Sequence, residues 1–363
     1  MTRIGIDAHV LDGKYQGTRT WVLEILRRAP LLAPDLTFVV YSADADHVAG
    51  LLGPDVPFEH RVLPAGGPLG RNLRFWPAAI RRDHLDLLVT QYFSPPRDAR
   101  RQLVVVHDVL FETHPSFFGW KTRWRNKLLV GWSVRRAGAI ATVSEYSRRE
   151  IARAYGRPVE RISVINNGVD STAALVPGSL PERVPAGTRF ALMVGRLEPR
   201  KNLRTALAAF AHVPDQDARL VVVGADDNED PDVLAALAAE PRAIHLTGVP
   251  QDELWALYRE ATVFVFPSLG EGWGIPVLEA LAAGTAVVAS SATAIPEAGG
   301  DACTYFDPTG PDPVGDLGRL LVDAFSGHLA PSGTAAAQIS RYTWDRSAVS
   351  FVTSIRRALV DLH

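Results

Sequence analysis

Ten short runs rich in Val, Ile, Leu and Phe recur along the chain with amphipathic stretches between them, and this alternation restricts the fold more than any other feature. The runs lie at 3–8, 36–42, 85–91, 103–108 and 139–144, and again at 190–195, 219–224, 243–248, 263–267 and 286–290. Most are continuously apolar, so they need cover on both faces. Stretches such as 18–29, 144–156, 202–213 and 232–240 space their apolar residues as helices do. Strands alternating with helices build parallel sheets flanked by helices. The expected fold class is α/β, with two doubly wound domains of about five strands each.

The 363 residues also exceed the roughly 250–300 at which a single core stops growing. Prolines and glycines interrupt both periodicities at 171–189, so the expected domains are 1–175 and 176–342, followed by a helix at 343–363 with Thr343 or a neighbour as N-cap. Residues 326–338 are expected to form the loop before that helix. The net charge of −2 hides an asymmetry: residues 1–175 hold 24 Lys/Arg against 17 Asp/Glu, and the remainder holds 14 against 23. Such halves suit different partners without indicating nucleic acid. One cysteine, Cys303, excludes an intramolecular disulfide. No run approaches the ~18 apolar residues of a membrane span, and the N-terminus reads as a strand, so a cytoplasmic location is expected.

Chemistry is expected where strands stop. After the run at 263–267 comes PSLGEGWGIPVLEALAAG, with Glu271 and Glu279 on either side of a glycine-rich turn into a helix. Pro276 suits a first helical turn, and Gly272 and Gly274 allow a ligand to approach backbone closely. The N–H groups there favour an anion. GRLEPRKN (195–202) places Arg196 and Lys201 between a strand and a helix, where two cations would neutralise a diphosphate. In QGTRTW, Gly17 precedes a helix start; in VVVHDV, His107 ends a strand, where it could bond a sugar hydroxyl or relay a proton. His114, beside Pro115, reads as structural. Asp44-Ala45-Asp46 has a metal-like spacing, and Asp226, Asp227, Glu229, Asp230 and Asp232 form a cluster, but neither has an ordered ligand pattern, and both read as solvated loops. No Cys/His spacing suggests zinc.

The segment 113–144 contains six Lys/Arg and no acidic residue, and Trp120, Trp124, Leu128 and Trp132 fall four apart. A basic helix with aromatics can lie on an anionic membrane. The competing reading puts Trp124 and Leu128 in the core with the basic residues on a solvated face, and for these two it is preferred. Arg71, Arg74, Arg81 and Arg82 add a further basic patch on the membrane side of the balance.

These motifs together resemble the retaining glycosyltransferases of the GT4 family, which have the GT-B fold, and the resemblance implies two Rossmann-like doubly wound domains facing a cleft. The resemblance rests on E-G-W-G-I-P-V-L-E (271–279), G-R-L-E-P-R-K-N (195–202), T-V-S-E-Y-S-R-R-E-I (142–151), I-N-N-G-V-D (165–170) and Y-T-W-D-R-S-A (342–348). It implies that Arg196 and Lys201 bind a donor diphosphate and that Glu279 holds the ribose. It gives Glu271 and the backbone N–H groups of Trp273, Gly274 and Ile275 to the transferred sugar. The base would lie near Thr247, Gly248 and Val249, and Gly17 and His107 would serve the reacting centre. The last helix would return to the N-terminal domain. Trp273 stands where Phe is commoner, Asn166 where Pro is commoner, and Q-G-T-R-T-W lacks the second glycine and R-Y pair often found there. The run H-D-V-L-F-E-T-H-P (107–115) resembles members that use GDP-mannose.

The resulting expectation is a metal-independent, cofactor-free retaining hexosyltransferase. It moves a hexose, with mannose from GDP-mannose favoured, to a glycan or lipid-linked acceptor hydroxyl, with peripheral contact at an anionic membrane. The alternatives are a nucleotide-sugar 2-epimerase of the same fold and a non-catalytic sugar-nucleotide-binding protein. A dinucleotide-dependent dehydrogenase is disfavoured, since no G-x-G-x-x-G follows a strand.

Overall fold

The computed structural model describes residues 1–13, 16–67, 70–225 and 231–362. The chain divides into two compact units, Met1–Asn167 with Trp344–His363, and Gly168–Thr343. The first holds β1 (Thr2–Asp7), β2 (Leu36–Ser42), β3 (Glu59–Val62), β4 (Leu87–Gln91), β5 (Gln102–Val105), β6 (Ala139–Thr142) and β7 (Ile162–Val164), in the order β3-β2-β1-β4-β5-β6-β7. The second holds β8 (Phe190–Val194), β9 (Arg219–Val223), β10 (Ala243–Leu246), β11 (Val263–Phe266), β12 (Val287–Ser290) and β13 (Thr304–Phe306), in the order β10-β9-β8-β11-β12-β13. The pairings are parallel, as in β1 with β4 and β8 with β11. Each sheet reverses direction of growth at its first strand, so the switch points lie between β1 and β4 and between β8 and β11.

The apolar runs became strands because both faces are covered. Every residue of β4, β5, β11 and β12 is buried. Three strands escaped the sequence pattern, so the sheets have seven and six strands rather than about five. β3, β7 and β13 have three or four residues each, sit at sheet edges and are only partly buried. An edge strand buries too little side chain to leave a strong apolar signature.

Local signals fix the helices. Ser144 caps Glu145–Tyr155 by accepting from the Ser147 N–H (2.9 Å), and Gly156 ends that helix in the left-handed region at φ 68°. Helix Gly17–Leu32 buries Trp21, Ile25 and Ala29 four apart. Trp21 meets Phe351 of helix Trp344–Val360 edge to face, at 5.7 Å between ring centroids. The closing helix is therefore part of the first unit.

The chain leaves that unit between Asn167 and Gly168, ahead of the expected boundary at 175. The Val169 N–H donates to the Tyr342 carbonyl (3.0 Å), and Val169 forms a bridge with Thr343. The segment 171–189 packs on the second unit: Ala174 and Val184 are buried, and Arg259 donates to the Ala174 carbonyl at 2.8 Å. Part of the expected loop 326–338 is helical, because Ala335–Arg341 forms a turn anchored by buried Gln338. Its Nε2 donates to the carbonyls of Glu297 and Ala298, both at 2.9 Å.

The tryptophan helix, Trp120–Arg136, corrects the preferred reading of that segment. Trp124 and Leu128 are 54% and 66% exposed, and Trp120 is 70% exposed. The helix packs through Val130 and Val134 instead, leaving the stripe on the surface. The second basic patch is weaker than it looked. Arg71 turns inward toward His9 (3.3 Å) and Asp7 (3.9 Å), and Arg82 pairs with Asp83 at 2.6 Å. Asp44 is a helix cap: Oδ1 accepts from the N–H groups of Asp46 (2.9 Å) and His47 (3.1 Å). The acidic residues 226, 227, 229 and 230 lie outside the described residues, as does the side chain of Asp232.

Candidate functional site

The loops that follow β8 and β11 leave neighbouring strands at the switch point of the second sheet. Pro199–Lys201 forms a tight turn after β8, and Asn202, at φ 58°, redirects the chain into helix Leu203–Phe210. The turn is tied to the loop after β11: the Leu269 N–H donates to the Arg200 carbonyl (2.7 Å), and Asn202 Nδ2 donates to the Pro267 carbonyl (3.1 Å). These bonds bring GRLEPRKN and PSLGEGWG together although about 70 residues separate them.

A charge network results. Lys201 Nζ donates to Glu271 Oε1 and Arg200 Nη1 to Glu271 Oε2, both at 2.6 Å. Arg200 Nε donates to Glu198 Oε2 at 2.7 Å, and Arg196 pairs with the same Glu198. Three cations thus share two carboxylates, and the Lys201 and Glu271 side chains are 10% and 11% exposed. Burial pushes the Glu271 carboxyl up, but Arg200 and Lys201 outweigh it and hold the group at about 2. Burial lowers the Lys201 ammonium, with Glu271 working against that fall. Lys201 Nζ also lies 5.1 Å from the centre of the Phe266 ring.

Thr293 fixes the backbone of Glu271. Its hydroxyl accepts from the Glu271 N–H (2.8 Å) and donates to the Glu271 carbonyl (3.0 Å). The chain then reaches Gly274, the N-cap of helix Ile275–Ala282, at φ 145°, a backbone region that side chains disfavour. No side chain caps this helix; Pro276 has no N–H and the Val277 N–H donates to the Gly274 carbonyl (3.0 Å), which leaves the Ile275 N–H for a polar ligand. Trp273 is buried beside Tyr342, with 4.8 Å between ring centroids, and its indole Nε1 has no protein partner among the described residues. One turn on, Glu279 is half-buried and accepts from the Tyr258 hydroxyl at 2.8 Å. Burial pushes its carboxyl above the ordinary value, opposed by that bond. Thr247 and Gly248 are exposed just beyond β10, and Val249, which follows them, is half-buried.

Two expected residues belong to the first unit. Gly17 opens its helix and is exposed. His107 follows β5, is 7% exposed, and its Nε2 bonds Gln91 Oε1 at 2.8 Å. Burial lowers its imidazole to about 4, so it is neutral at physiological pH. Trp21 and Tyr92 flank it, with ring centroids 5.6 and 5.8 Å away.

Sequence reasoning assigned no role to Arg200, Glu198, Thr293, Tyr258 or Gln91. Arg200 and Glu198 stood inside a motif already singled out. Thr293, Tyr258 and Gln91 lie 22, 21 and 16 residues from the groups they hold, and nothing local distinguishes them.

The family model "Glycosyl transferases group 1" matches residues 181–308, and that of "Glycosyltransferase Family 4" matches 15–173. The O-antigen chain mannosyltransferase B of Escherichia coli is 30% identical over 305 residues, covering 76% of this chain and 75% of that protein. A D-inositol 3-phosphate glycosyltransferase of Acidothermus cellulolyticus is 31% identical over 63% of this chain and 55% of its own length. Among solved structures, sucrose-phosphate synthase of Thermosynechococcus elongatus superposes with a TM-score of 0.74 at 18% identity, covering 98% of this chain and 99% of that one. Anabaena Alr3699/HepE in complex with UDP and glucose gives 0.66 at 18% identity, covering 100% and 99%. With its two parallel doubly wound units, the chain belongs to glycosyltransferase family 4 and is a glycosyltransferase of the GT-B fold.

Proposed function

We propose that the chain transfers a hexose with retention from a nucleoside diphosphate sugar, GDP-mannose favoured, to a hydroxyl of a glycan or lipid-linked acceptor, without a metal or other cofactor. The observation that carries this reading is the network of Arg196, Glu198, Arg200, Lys201 and Glu271 at the second sheet's switch point. As the anomeric C–O bond breaks, negative charge collects on the diphosphate. Cations already held in place stabilise it without reorganising. Arg196 and Lys201 take the diphosphate in this reading. Glu271 and the N–H groups of Trp273, Gly274 and Ile275 take the sugar, and Glu279 the ribose. Thr247, Gly248 and Val249 border the base, and Gly17 and His107 serve the reacting sugar. The acceptor oxygen attacks the face that the diphosphate leaves, and its proton passes to the departing phosphate oxygen. The mannose preference is supported by the matched O-antigen chain mannosyltransferases of Escherichia coli and Salmonella typhimurium and by the run at 107–115.

Thermal-shift titration with GDP-mannose, UDP-glucose and UDP-GlcNAc tests the donor. GDP-mannose should raise the melting temperature most, since a ligand of the native state stabilises it. An equal or larger rise with a UDP-sugar would overturn the mannose assignment. Proton NMR of the product should show the donor's anomeric configuration; inversion would sink the retaining mechanism. Donor turnover without any acceptor would favour the epimerase reading.

We also propose peripheral contact with an anionic membrane at the cytoplasmic face. No described helix is long and apolar enough to cross a bilayer. Support comes from the exposed Trp120, Trp124 and Leu128 on a helix that carries six Lys/Arg and no acidic residue. Co-sedimentation with vesicles should depend on Trp124 and on anionic lipid; binding that needed neither would refute it.

A further inference from the structure

Positive charge is unevenly placed on the first unit. Arg100 and Arg101, just before β5, and Arg135 and Arg136, at the end of helix Trp120–Arg136, line one concavity with Asp98. All four arginines are exposed, and none has a carboxylate partner among the described residues. Some other arginines of this unit are paired, as Arg3 is with Glu59 and Arg28 with Glu24.

Buried Gln102 and close backbone contacts hold the four together. Gln102 is fully buried, and its Nε2 donates to the carbonyls of Pro95 (3.2 Å) and Arg97 (3.1 Å), which shapes the loop that presents Arg100 and Arg101. The Gly138 N–H donates to the Ala99 carbonyl at 3.0 Å. A side chain at 138 would place its Cβ 2.0 Å from the Arg100 carbonyl oxygen, so only glycine lets the two arginine pairs approach. The carboxyl end of a helix is negative and would repel an anion. Here Arg157 Nη2 donates to the carbonyls of Ala137 (3.1 Å) and Gly138 (3.2 Å), just past the helix end, and offsets that field.

Four arginines line this concavity with one carboxylate, the Arg135 guanidinium lying 5.5 Å from the centre of the Tyr155 ring, and an anion bound among them relieves the repulsion of like charges. Their planar forks match phosphate oxygens in pairs. We propose that this concavity is a second phosphate-binding site, taking the phosphate of an anionic lipid headgroup and separate from the donor network. Arg101 immediately precedes β5, and Arg136 lies three residues before β6, so the site lies at the opposite end of these strands from His107. Leu128 and Arg135 are seven residues apart on one helix, which is two turns, about 10 Å, along the same face. The exposed tryptophan stripe thus runs into the arginine pocket. The choice of a lipid source rests on the membrane reading above; the phosphate chemistry does not.

The test compares wild type with Arg100→Gln/Arg101→Gln, Arg135→Gln/Arg136→Gln, Trp124→Ala and Lys201→Ala. Each is titrated with inorganic pyrophosphate by calorimetry and mixed with phosphatidylcholine vesicles with or without phosphatidylglycerol. Circular dichroism and thermal melting check that each is folded. Both arginine pairs should lose at least tenfold in affinity for the phosphatidylglycerol vesicles. They should also lose a pyrophosphate site that Lys201→Ala retains. Loss of that site with unchanged vesicle binding would keep the phosphate site but overturn its lipid source. If neither pair changes either binding, there is no phosphate site. If Trp124→Ala alone abolishes vesicle binding, the membrane reading stands and the headgroup assignment fails.

Discussion

Glu271 is ionised deep in the protein because Arg200 and Lys201 both bond it, and its behaviour with pH follows. The carboxyl falls from an ordinary value of 4.5 to about 2. The unfolded chain therefore takes up this proton first as pH drops. The contribution to stability is complete above pH 4.5 and is lost as pH falls toward 2, with a magnitude on the order of 3 kcal/mol. Glu271→Gln should melt at a lower temperature than wild type at pH 7, with the gap closing between pH 4.5 and 2. Lys201→Ala should lower kcat by about 10²–10³ by removing a fixed cation from the leaving group, while melting stays cooperative. A near-normal rate would refute its role. His107 gives a third check at this scale. Its imidazole should titrate near 4 by NMR, well below the ordinary 6.5, because burial opposes the charged form. Residue identities such as Arg196, Lys201 and Glu271 were legible in the sequence. Their mutual bonds were not, since a motif names side chains without saying which of them neutralise one another.

At the scale of elements, the turn after β11 is a strand end, a glycine at φ 145° and a short helix whose N-terminus stays uncapped by any side chain. Gly274→Ala would not clash, because its Cβ would lie 3.5 Å from the nearest atom, Ala298 Cβ. The cost is backbone strain of about 1–3 kcal/mol. It should appear as a lower melting temperature and a higher donor KM, read together by thermal melting and steady-state kinetics. Central strands were legible because continuous apolar runs mark burial on both faces. The edge strands β3, β7 and β13 were not, because their side chains are only partly covered. The tryptophan helix shows the limit of periodicity. Trp120, Trp124 and Leu128 share a face by spacing alone, but spacing cannot say whether that face meets the core or water.

For the whole molecule, two sheets grown outward from β1 and β8 put a switch point in each unit, and the charge network proposed to hold the donor lies at the second. Fixed cations supply the charge stabilisation that a metal would otherwise give in the proposed reaction. Glycosyl transfer should therefore persist in excess EDTA, measured as product formation after exhaustive dialysis. Loss of activity restored by magnesium or manganese would overturn that part of the reading.

By itself the sequence determined the alternation of strands and helices, two α/β domains, the family motifs and most of the charged residues of the loops after β8 and β11. These are local properties: apolar runs, helical spacing, turn chemistry and short motifs. Only the tertiary structure decided the partners. It joined Arg200 and Lys201 to Glu271, clamped Glu271 with Thr293, tied Glu279 to Tyr258, and set the unit boundary at Asn167. It also gathered four arginines from two segments into one concavity. The physical reason is common to all of these. Hydrogen bonds and ion pairs act over a few ångströms in space, whereas the groups they join lie tens of residues apart along the chain.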